Sequence, residues 1–156
     1  MKKTILTTAI LIALFISCKK ENNQELTPTE TDATVATETI SQECYLGINN
    51  KDTIVLSYNI KGNQITQGKL SFNYFEKDRN EGTIAGGIKG DTLFADYTFM
   101  SEGMVSVRQV AFLKRDGNLI EGYGDIIDNN GKVSFKSTKD LKFEGKPQLS
   151  KVDCKK

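Results

Sequence analysis

The sequence predicts an all-β domain: an antiparallel up-and-down meander of about eight strands that closes into a barrel, with a β-sandwich as the alternative. Apolar and polar residues alternate with a period of two over residues 43–156, and glycine-containing turns separate the alternating segments. Two cysteines, Cys44 and Cys154, stand at the ends of this region. No long segment places apolar residues at helical spacing, so one β domain with its own core is expected.

Three segments show the alternation most clearly, and each predicts a strand with one buried face. Their apolar members are Ile54, Leu56, Tyr58 and Ile60 in the first, Leu70, Phe72 and Tyr74 in the second, and Leu93, Ala95, Tyr97 and Phe99 in the third. Strands are predicted near 44–49, 52–61, 64–75, 82–89, 92–100, 104–114, 118–127 and 132–137, and a last short strand reaches Cys154.

The turns between these strands follow a recurring pattern, because glycine supplies the positive φ that tight hairpins require. The recurring turns are Gly62-Asn63, Gly90-Asp91 and Gly117-Asn118. Inside strands glycine marks a bend or bulge, which is expected at 86–87 and at 122–124. The alternation of apolar and polar residues also shifts by one position between Val107 and Val110, which predicts a bulge near Arg108-Gln109.

Residues 1–17 form a predicted signal peptide. Lys2 and Lys3 give it a positive start, and the segment from Ile5 to Ile16 carries no charge. This apolar run is shorter than the roughly 20 residues that span a bilayer, so a permanent transmembrane helix is not expected. The protein is therefore predicted to be exported.

Phe15-Ile16-Ser17-Cys18 resembles the lipobox of bacterial lipoproteins, with Phe15 where leucine is usual. The resemblance implies that Cys18 becomes the acylated first residue of the mature chain, and two or more acyl chains give stable anchoring. Lys20-Glu21 is similar to the start of lipoproteins displayed on the cell surface in one group of Gram-negative bacteria. We therefore expect a lipid anchor in the outer membrane, with the cell surface favoured over the periplasmic face. The alternative is a soluble secreted protein cleaved by the ordinary signal peptidase.

Residues 18–42 hold this cysteine and a predicted linker. The linker is rich in Thr, Glu, Asn and Gln and has no aromatic residue. Such a composition does not bury enough apolar surface to offset chain entropy, so disorder is expected. The barrel domain, residues 43–156, would then be tethered to the membrane.

With Cys18 assigned to lipid, Cys44 and Cys154 remain, and in an oxidising compartment they are expected to form a disulfide. The alternative is two unpaired thiols. A loop of this length stabilises a fold by about 4 to 5 kcal/mol in the chain-entropy model. The bond would place the first and last strands side by side, which favours the barrel because closure removes both sheet edges.

A meander of this kind is similar to the calycin-like group, meaning the lipocalins and their short relatives, and to the small barrel lipoproteins that inhibit lysozyme. The resemblance covers the strand pattern over residues 44–154. The lipocalin Gly-x-Trp signature is absent because the chain has no tryptophan. The resemblance therefore implies a small β-barrel and carries over no functional residue.

Composition excludes several function classes. The chain has no histidine, which excludes Ser-His and Cys-His nucleophiles and histidine-ligated zinc or haem, and no cofactor is expected. The 21 basic and 20 acidic residues leave no basic excess for nucleic-acid binding. We expect a protein that is not an enzyme. A hydrolase that uses carboxylates alone, at Glu121 or in the loop 76–81, is the remaining catalytic alternative.

Polar residues on predicted inward faces are the candidates for ligand binding. Glu121 shares a strand face with Leu119 and Tyr123, where it either orients a ligand inside a cavity or is turned outward by a bulge at its glycine neighbours. Arg108 is its candidate ionic partner. The full candidate set is Tyr58, Tyr74, Tyr97, Tyr123, Glu121 and Arg108, and core packing is the alternative role for the tyrosines.

The polar stretches 76–81 and 125–131 offer oxygen ligands, but neither has the alternating acids and glycine of a calcium loop, so no metal is expected. Both are predicted to be solvated hairpin tips. The leading functional hypothesis is a non-enzymatic binding module for a small apolar ligand in the barrel interior or for an envelope protein at its loops. A structural or accessory subunit of an envelope complex is the second hypothesis.

Overall fold

The computed structural model describes residues 39–154, so the predicted signal peptide, Cys18 and most of the predicted linker lie outside the described residues. Within this range no helix is long and apolar enough to span a membrane. The strands are β1 (Ile40–Asn49), β2 (Asp52–Lys61), β3 (Gln64–Asn73), β4 (Asn80–Lys89), β5 (Thr92–Ser101), β6 (Met104–Arg115), β7 (Asn118–Tyr123), β8 (Ile126–Asn129), β9 (Lys132–Phe135), β10 (Lys142–Phe143) and β11 (Leu149–Val152).

Eight of these strands close into an antiparallel barrel. Strands β1 to β7 pair in sequence order, and β11 lies between β7 and β1. Each neighbouring pair in this cycle is antiparallel. The predicted all-β meander and its closure are therefore confirmed, and the sandwich alternative is wrong.

Three short strands lie outside this cycle. β8 and β9 form a hairpin whose second strand pairs in parallel with β6, and β10 pairs with the end of β7. The predicted strand 132–137 is therefore not a barrel strand, and the eighth position belongs to the short strand predicted before Cys154. The predicted strand 118–127 is also wrong in its second half, because β7 ends at Tyr123 and the chain leaves the barrel there.

The first and last barrel strands lie side by side, as the cysteine positions predict. Cys44 pairs with Val152 in the β1–β11 ladder, and Cys44 and Cys154 form a disulfide with their Cα atoms 5.3 Å apart. β1 begins earlier than predicted, at Ile40, so residues 40–42 belong to the barrel and pair with β2. We call this β1–β11 junction the closing seam.

The recurring glycine turns connect alternate strands and therefore share one end of the barrel. Gly62, Gly90 and Gly117 have φ values of 57°, 59° and 80°, in the left-handed region that glycine adopts without strain. They join β2 to β3, β4 to β5 and β6 to β7. The connections at 50–51, 74–79 and 102–103 lie at the opposite end, so the turn prediction is confirmed.

The core fills the interior of this barrel and is complete within the described residues. Its side chains come from the inward faces of β1 to β7 and from β11, in the period-two pattern that the sequence shows. Those of 2% exposure or less include Tyr45, Ile54, Leu56, Leu70, Phe72, Leu93, Tyr97, Phe112, Leu119 and Leu149. Because the disulfide also lies within residues 44–154, a chain of residues 19–156 contains the core contacts that residues 39–154 make and the covalent closure.

The predicted bulge near Arg108-Gln109 is absent from the β5–β6 ladder. The pairing runs without a shift from Thr92–Leu113 to Ser101–Met104. The apolar phase changes because polar Ser106 and Arg108 occupy the inward positions, whereas Val105 faces outward and is 68% exposed. The interior of β6 is therefore polar towards its start and apolar towards its end.

The β4–β5 ladder is also regular through Gly86 and Gly87, where a bend or bulge was an expectation from the glycine pair. The register shift lies in β3 instead, between Ile65 and Gly68. The bulge is therefore in β3, opposite the glycine pair, and β4 itself is regular.

Candidate ligand-binding site

The candidate site lies where β6 and β7 separate. β6 pairs with β7 through Phe112–Arg115, but nearer its start it pairs with β9 at Val107 and Arg108. The β8–β9 hairpin therefore borders an opening in the barrel wall. We call this opening the split.

The split contains a cleft of about 620 Å³, which is within the range of about 300–1,000 Å³ typical of small-molecule sites. β5, β6, β7 and the β8–β9 hairpin supply its walls. Apolar lining side chains include Phe99, Met104, Val110, Ile126, Val133 and Phe135, and polar ones include Ser106, Arg108, Gln109, Glu121 and Tyr123. The cleft thus combines apolar walls with a small polar group.

Arg108 lies at the inner side of this cleft against three aromatic rings. Its guanidinium carbon is 4.8 Å from the centre of the Phe72 ring and 5.4 Å from the centres of the Tyr97 and Phe99 rings, distances at which cation–π attraction operates. Nε is buried and has no hydrogen-bond partner. Among residues 39–154, no side-chain hydrogen bond or ion pair involves its guanidinium. The rings hold the group while its N–H donors stay unused.

Glu121 points into the barrel, so of its two expected orientations the inward one is observed and the outward alternative is wrong. The residue is 6% exposed, and Tyr123 Oη donates a 2.8 Å hydrogen bond to its Oε2. Burial raises the pKa of the Glu121 carboxyl, and the Tyr123 hydrogen bond and the charge of Arg108 oppose that shift without cancelling it. The ion pairs of the described residues do not include one between Glu121 and its candidate partner Arg108.

The segment between β10 and β11 packs against β7 and holds the backbone of Glu121 in place. Gly145 N donates a 3.1 Å hydrogen bond to the Glu121 carbonyl oxygen. A Cβ atom at position 145 would lie 2.7 Å from both that oxygen and Glu121 Cβ, closer than such atoms approach. Glycine therefore allows this segment to lie directly against β7.

Of the four candidate tyrosines, Tyr123 lines the cleft, whereas Tyr97 and Tyr74 lie in the barrel interior near Arg108 and Glu121. Tyr97 is fully buried with an unpartnered hydroxyl, and burial raises its pKa to about 12 although the charge of Arg108 acts in the opposite direction. Tyr74 lies beside Phe72 with the ring centres 5.9 Å apart, and burial followed by the charge of Glu121 raises its pKa. Tyr123 is 49% exposed at the mouth of the cleft, so its predicted burial holds for only part of its ring.

Tyr58 belongs to a different polar group, at the closing seam. It stacks on Tyr45 with ring centres 6.1 Å apart, and Tyr45 Oη donates a hydrogen bond to Glu43. Lys151 Nζ lies 3.0 Å from the other carboxylate oxygen of Glu43. Burial would raise the pKa of Glu43, but these two hydrogen bonds and the positive charges of Lys151 and Lys114 lower it below its ordinary value.

The two polar stretches weighed as metal sites form ordinary connections. The loop 74–79 joins β3 to β4, and Arg79 makes an exposed 2.8 Å ion pair with Glu81. In the β8–β9 turn, Gly131 N donates a 2.8 Å hydrogen bond to Asp128 Oδ1. In the part of the chain that the structure describes, no cluster of three or more metal-ligating Cys, Asp or Glu side chains is present.

Sequence reasoning did not identify the two phenylalanines that hold Arg108, or the β8–β9 hairpin that borders the cleft. Phe72 and Phe99 follow the strand alternation and therefore resemble core residues. The available signal is the shift in the apolar–polar alternation of β6, because two polar residues on an inward face, Ser106 and Arg108, indicate a polar interior. The same shift also predicts a bulge, and that prediction is wrong.

The chain matches no model of a known protein family, no curated protein and no solved structure. The fold and the site themselves define the class: a small antiparallel eight-stranded β-barrel with a lined cleft in its wall.

Proposed function

We propose that this protein is a lipid-anchored envelope lipoprotein whose barrel binds a small molecule in the split. The barrel is a non-enzymatic binding module, and the ligand is an apolar molecule with a polar end. Lipid on Cys18 holds the protein in the outer membrane, with the barrel at the cell surface rather than on the periplasmic face.

One observation carries the binding proposal: the cleft of about 620 Å³ between β6, β7 and the β8–β9 hairpin. Apolar walls around a few polar groups are the usual composition of small-molecule sites, because burial of the ligand supplies affinity and the polar groups fix its orientation. Arg108 and Glu121 are the charged side chains of this cleft on the barrel strands, and they are held by ring stacking and by a tyrosine hydroxyl rather than by each other. A third charged side chain of the lining, Asp128, is exposed in the β8–β9 turn and accepts a hydrogen bond from Gly131 N.

The anchor is supported by sequence features in series. An uncharged apolar run follows Lys2 and Lys3 and ends at Cys18, within the lipobox-like stretch, and a polar linker precedes the barrel. The disulfide fits an exported protein, because such bonds persist in oxidising compartments.

A ligand-capture experiment tests the binding proposal. The chain of residues 19–156 is exported without lipid and measured by native mass spectrometry, where we expect an added ligand mass. Ser106→Trp places a large ring in the cleft and should abolish that mass. Val55→Trp is the matched control, because Val55 lies on β2 away from the split and is 44% exposed. No ligand mass in the parent chain, or its retention in Ser106→Trp, would contradict the proposal.

Metabolic labelling tests the anchor. Cells grown with an alkyne-tagged palmitate should label the parent protein, and Cys18→Ala should remove the label. An unlabelled parent protein, or a variant that keeps its label, would contradict lipid attachment at Cys18.

Exposed apolar side chains near the cleft favour a second candidate function, contact with an envelope protein. Met100, Met104 and Val105 flank the β5–β6 turn and are 54%, 71% and 68% exposed. Such a cluster is typical of interaction surfaces. Val105→Lys should abolish recovery of a stable partner from envelope extracts if this surface binds one, and unchanged recovery would contradict that role.

A further inference from the structure

We propose that the ligand of the split is an amphipathic monocarboxylate, whose carboxylate accepts hydrogen bonds from the guanidinium of Arg108. This inference rests on the proposed binding function and specifies its ligand class. The carboxylate lies at the inner side of the cleft, and the apolar body extends along β6 and the β8–β9 hairpin towards solvent.

Arg108 has hydrogen-bonding capacity that the described residues do not use. A guanidinium carries five N–H donors in a planar fork, and buried donors are normally paired. In the described residues none of these donors is paired, although three rings fix the position of the group. Nε is closed off from solvent, whereas Arg108 lines the cleft, so the terminal nitrogens are the donors that a ligand reaches.

The charges around Arg108 favour a ligand with one negative charge. Arg108 has no ion-pair partner among residues 39–154, and the neighbouring acid, Glu121, is engaged by Tyr123 and buried. The positive charge of Arg108 therefore has no direct ion-pair partner among the described residues, and one negative charge on the ligand balances it. A dianionic phosphate would exceed that balance.

The shapes of the guanidinium and of the cleft favour a carboxylate on an apolar body. A planar guanidinium matches a carboxylate through two parallel hydrogen bonds, which gives both strength and orientation. The walls beyond it are Phe99, Met104, Val110 and, on the hairpin, Ile126, Val133 and Phe135. These side chains are uncharged, and the acid on this side of the cleft, Asp128, is exposed in the β8–β9 turn. An aliphatic or aromatic body attached to the carboxylate therefore fits the rest of the cleft.

The test compares three ligands that share one chain and differ in the end group: dodecanoate, dodecanol and dodecylamine. Each is titrated by calorimetry into the chain of residues 19–156, below its micelle concentration. Dodecanoate should bind about 10- to 100-fold more tightly than dodecanol, since a charge-assisted hydrogen bond is lost in the alcohol. Dodecylamine should bind more weakly than dodecanol, because its ammonium faces Arg108.

Variants locate the selectivity. Arg108→Met keeps the length and apolar stem of the side chain, and it should reduce dodecanoate affinity to that of dodecanol while leaving dodecanol unchanged. Arg115→Met is the matched control, because Arg115 ends the same strand but is exposed outside the cleft, and it should change nothing. Arg108→Lys keeps the charge and should retain a reduced preference for dodecanoate, which also covers the case in which Arg108→Met fails to fold.

The outcomes separate the two proposals. Equal binding of dodecanoate and dodecanol by the parent chain, or tighter binding of dodecylamine, would overturn the monocarboxylate and leave the binding function standing. Full dodecanoate affinity in Arg108→Met would overturn the role of Arg108. Absence of binding by all three ligands would contradict the binding function itself.

Discussion

The closing seam and the split each contain a glutamate that accepts a hydrogen bond from the tyrosine two residues later in its strand. At the closing seam, Glu43 is paired with Tyr45 and Lys151, and its pKa is lowered. At the split, Glu121 is paired with Tyr123 alone, and burial raises its pKa. The same local pair therefore has opposite electrostatic character in the two regions.

The difference lies in the surrounding strands. β1 and β11 are joined by ladder pairing, a disulfide and an ion pair, so the charged groups Glu43 and Lys151 are paired with each other within the protein. β6 and β7 diverge, and the cationic group between them has ring contacts but no acceptor. We infer that the closing seam serves stability and that the split retains unpaired polar groups for a ligand.

The largest expected effect is at the closing seam. Replacing both Cys44 and Cys154 by serine should lower the free energy of unfolding by about 4 to 5 kcal/mol, because a cross-link over this chain separation restricts the unfolded state. Urea denaturation of the parent and the double variant measures the difference. A loss below about 1 kcal/mol would show that the ladder alone holds the closing seam.

Two glycine-to-alanine variants compare how closely the neighbouring chain packs at the split and at the closing seam. Gly145→Ala should destabilise the fold by about 1 to 3 kcal/mol, because the new Cβ meets the Glu121 backbone and the segment must move off β7. Gly47→Ala, at the closing seam, is the control. Its Cβ would lie 3.0 Å from Pro147 Cγ and 3.1 Å from Gln148 O, so a smaller loss is expected. Equal losses in thermal unfolding would contradict the close packing behind Glu121.

The two glutamates should respond to amidation with opposite signs. Glu43→Gln should lower the free energy of unfolding at neutral pH by about 0.5 to 1 kcal/mol, as expected for a partly exposed ion pair. Glu121→Gln should raise it by about 1 kcal/mol, the usual size of a single-residue effect, since the amide removes a buried charge and keeps an acceptor for Tyr123.

The pH dependence sharpens this contrast. The folded-state pKa of Glu43 is lowered, so its contribution is present above the unfolded pKa and is lost as pH falls through the folded pKa. The folded-state pKa of Glu121 is raised. Its contribution to the free energy of unfolding is therefore fully present below the unfolded pKa and is lost as pH rises through the folded pKa. Urea denaturation midpoints should be measured from acid to neutral pH for the parent, Glu43→Gln and Glu121→Gln. As pH rises, Glu43→Gln should lose stability relative to the parent, and Glu121→Gln should gain it. Parallel curves for the two variants would contradict the assigned pKa directions.

The barrel strands and their turns could be predicted because both depend on local sequence. Ile54, Leu56 and Tyr58 alternate in the printed sequence and face the core in the structure, and Gly62 adopts the backbone conformation that its turn requires. The cysteine positions added one long-range constraint, and it correctly placed the first and last strands together.

The split could not be predicted, because it depends on which distant strands compete for the same edge. Residues 126–135 alternate like barrel strands, yet the early part of β6 pairs with β9, and β11 occupies the place beside β7. The sequence allows Glu121 to point inward or outward, because its glycine neighbours are compatible with both orientations. In the structure, Gly145 packs against β7 at Glu121, and the side chain points inward.

The central claim is that the split binds a carboxylate through Arg108, and nitrogen-15 NMR of arginine side chains tests it most directly. The chain has three arginines, Arg79, Arg108 and Arg115, so their Nε–H resonances can be assigned by substitution. Nε shares the delocalised guanidinium with the terminal nitrogens and therefore reports hydrogen bonding by the whole group. On addition of dodecanoate, the Arg108 resonance should shift to saturation while the other two stay in place. An unmoved Arg108 resonance, or equal shifts at all three arginines, would contradict the claim.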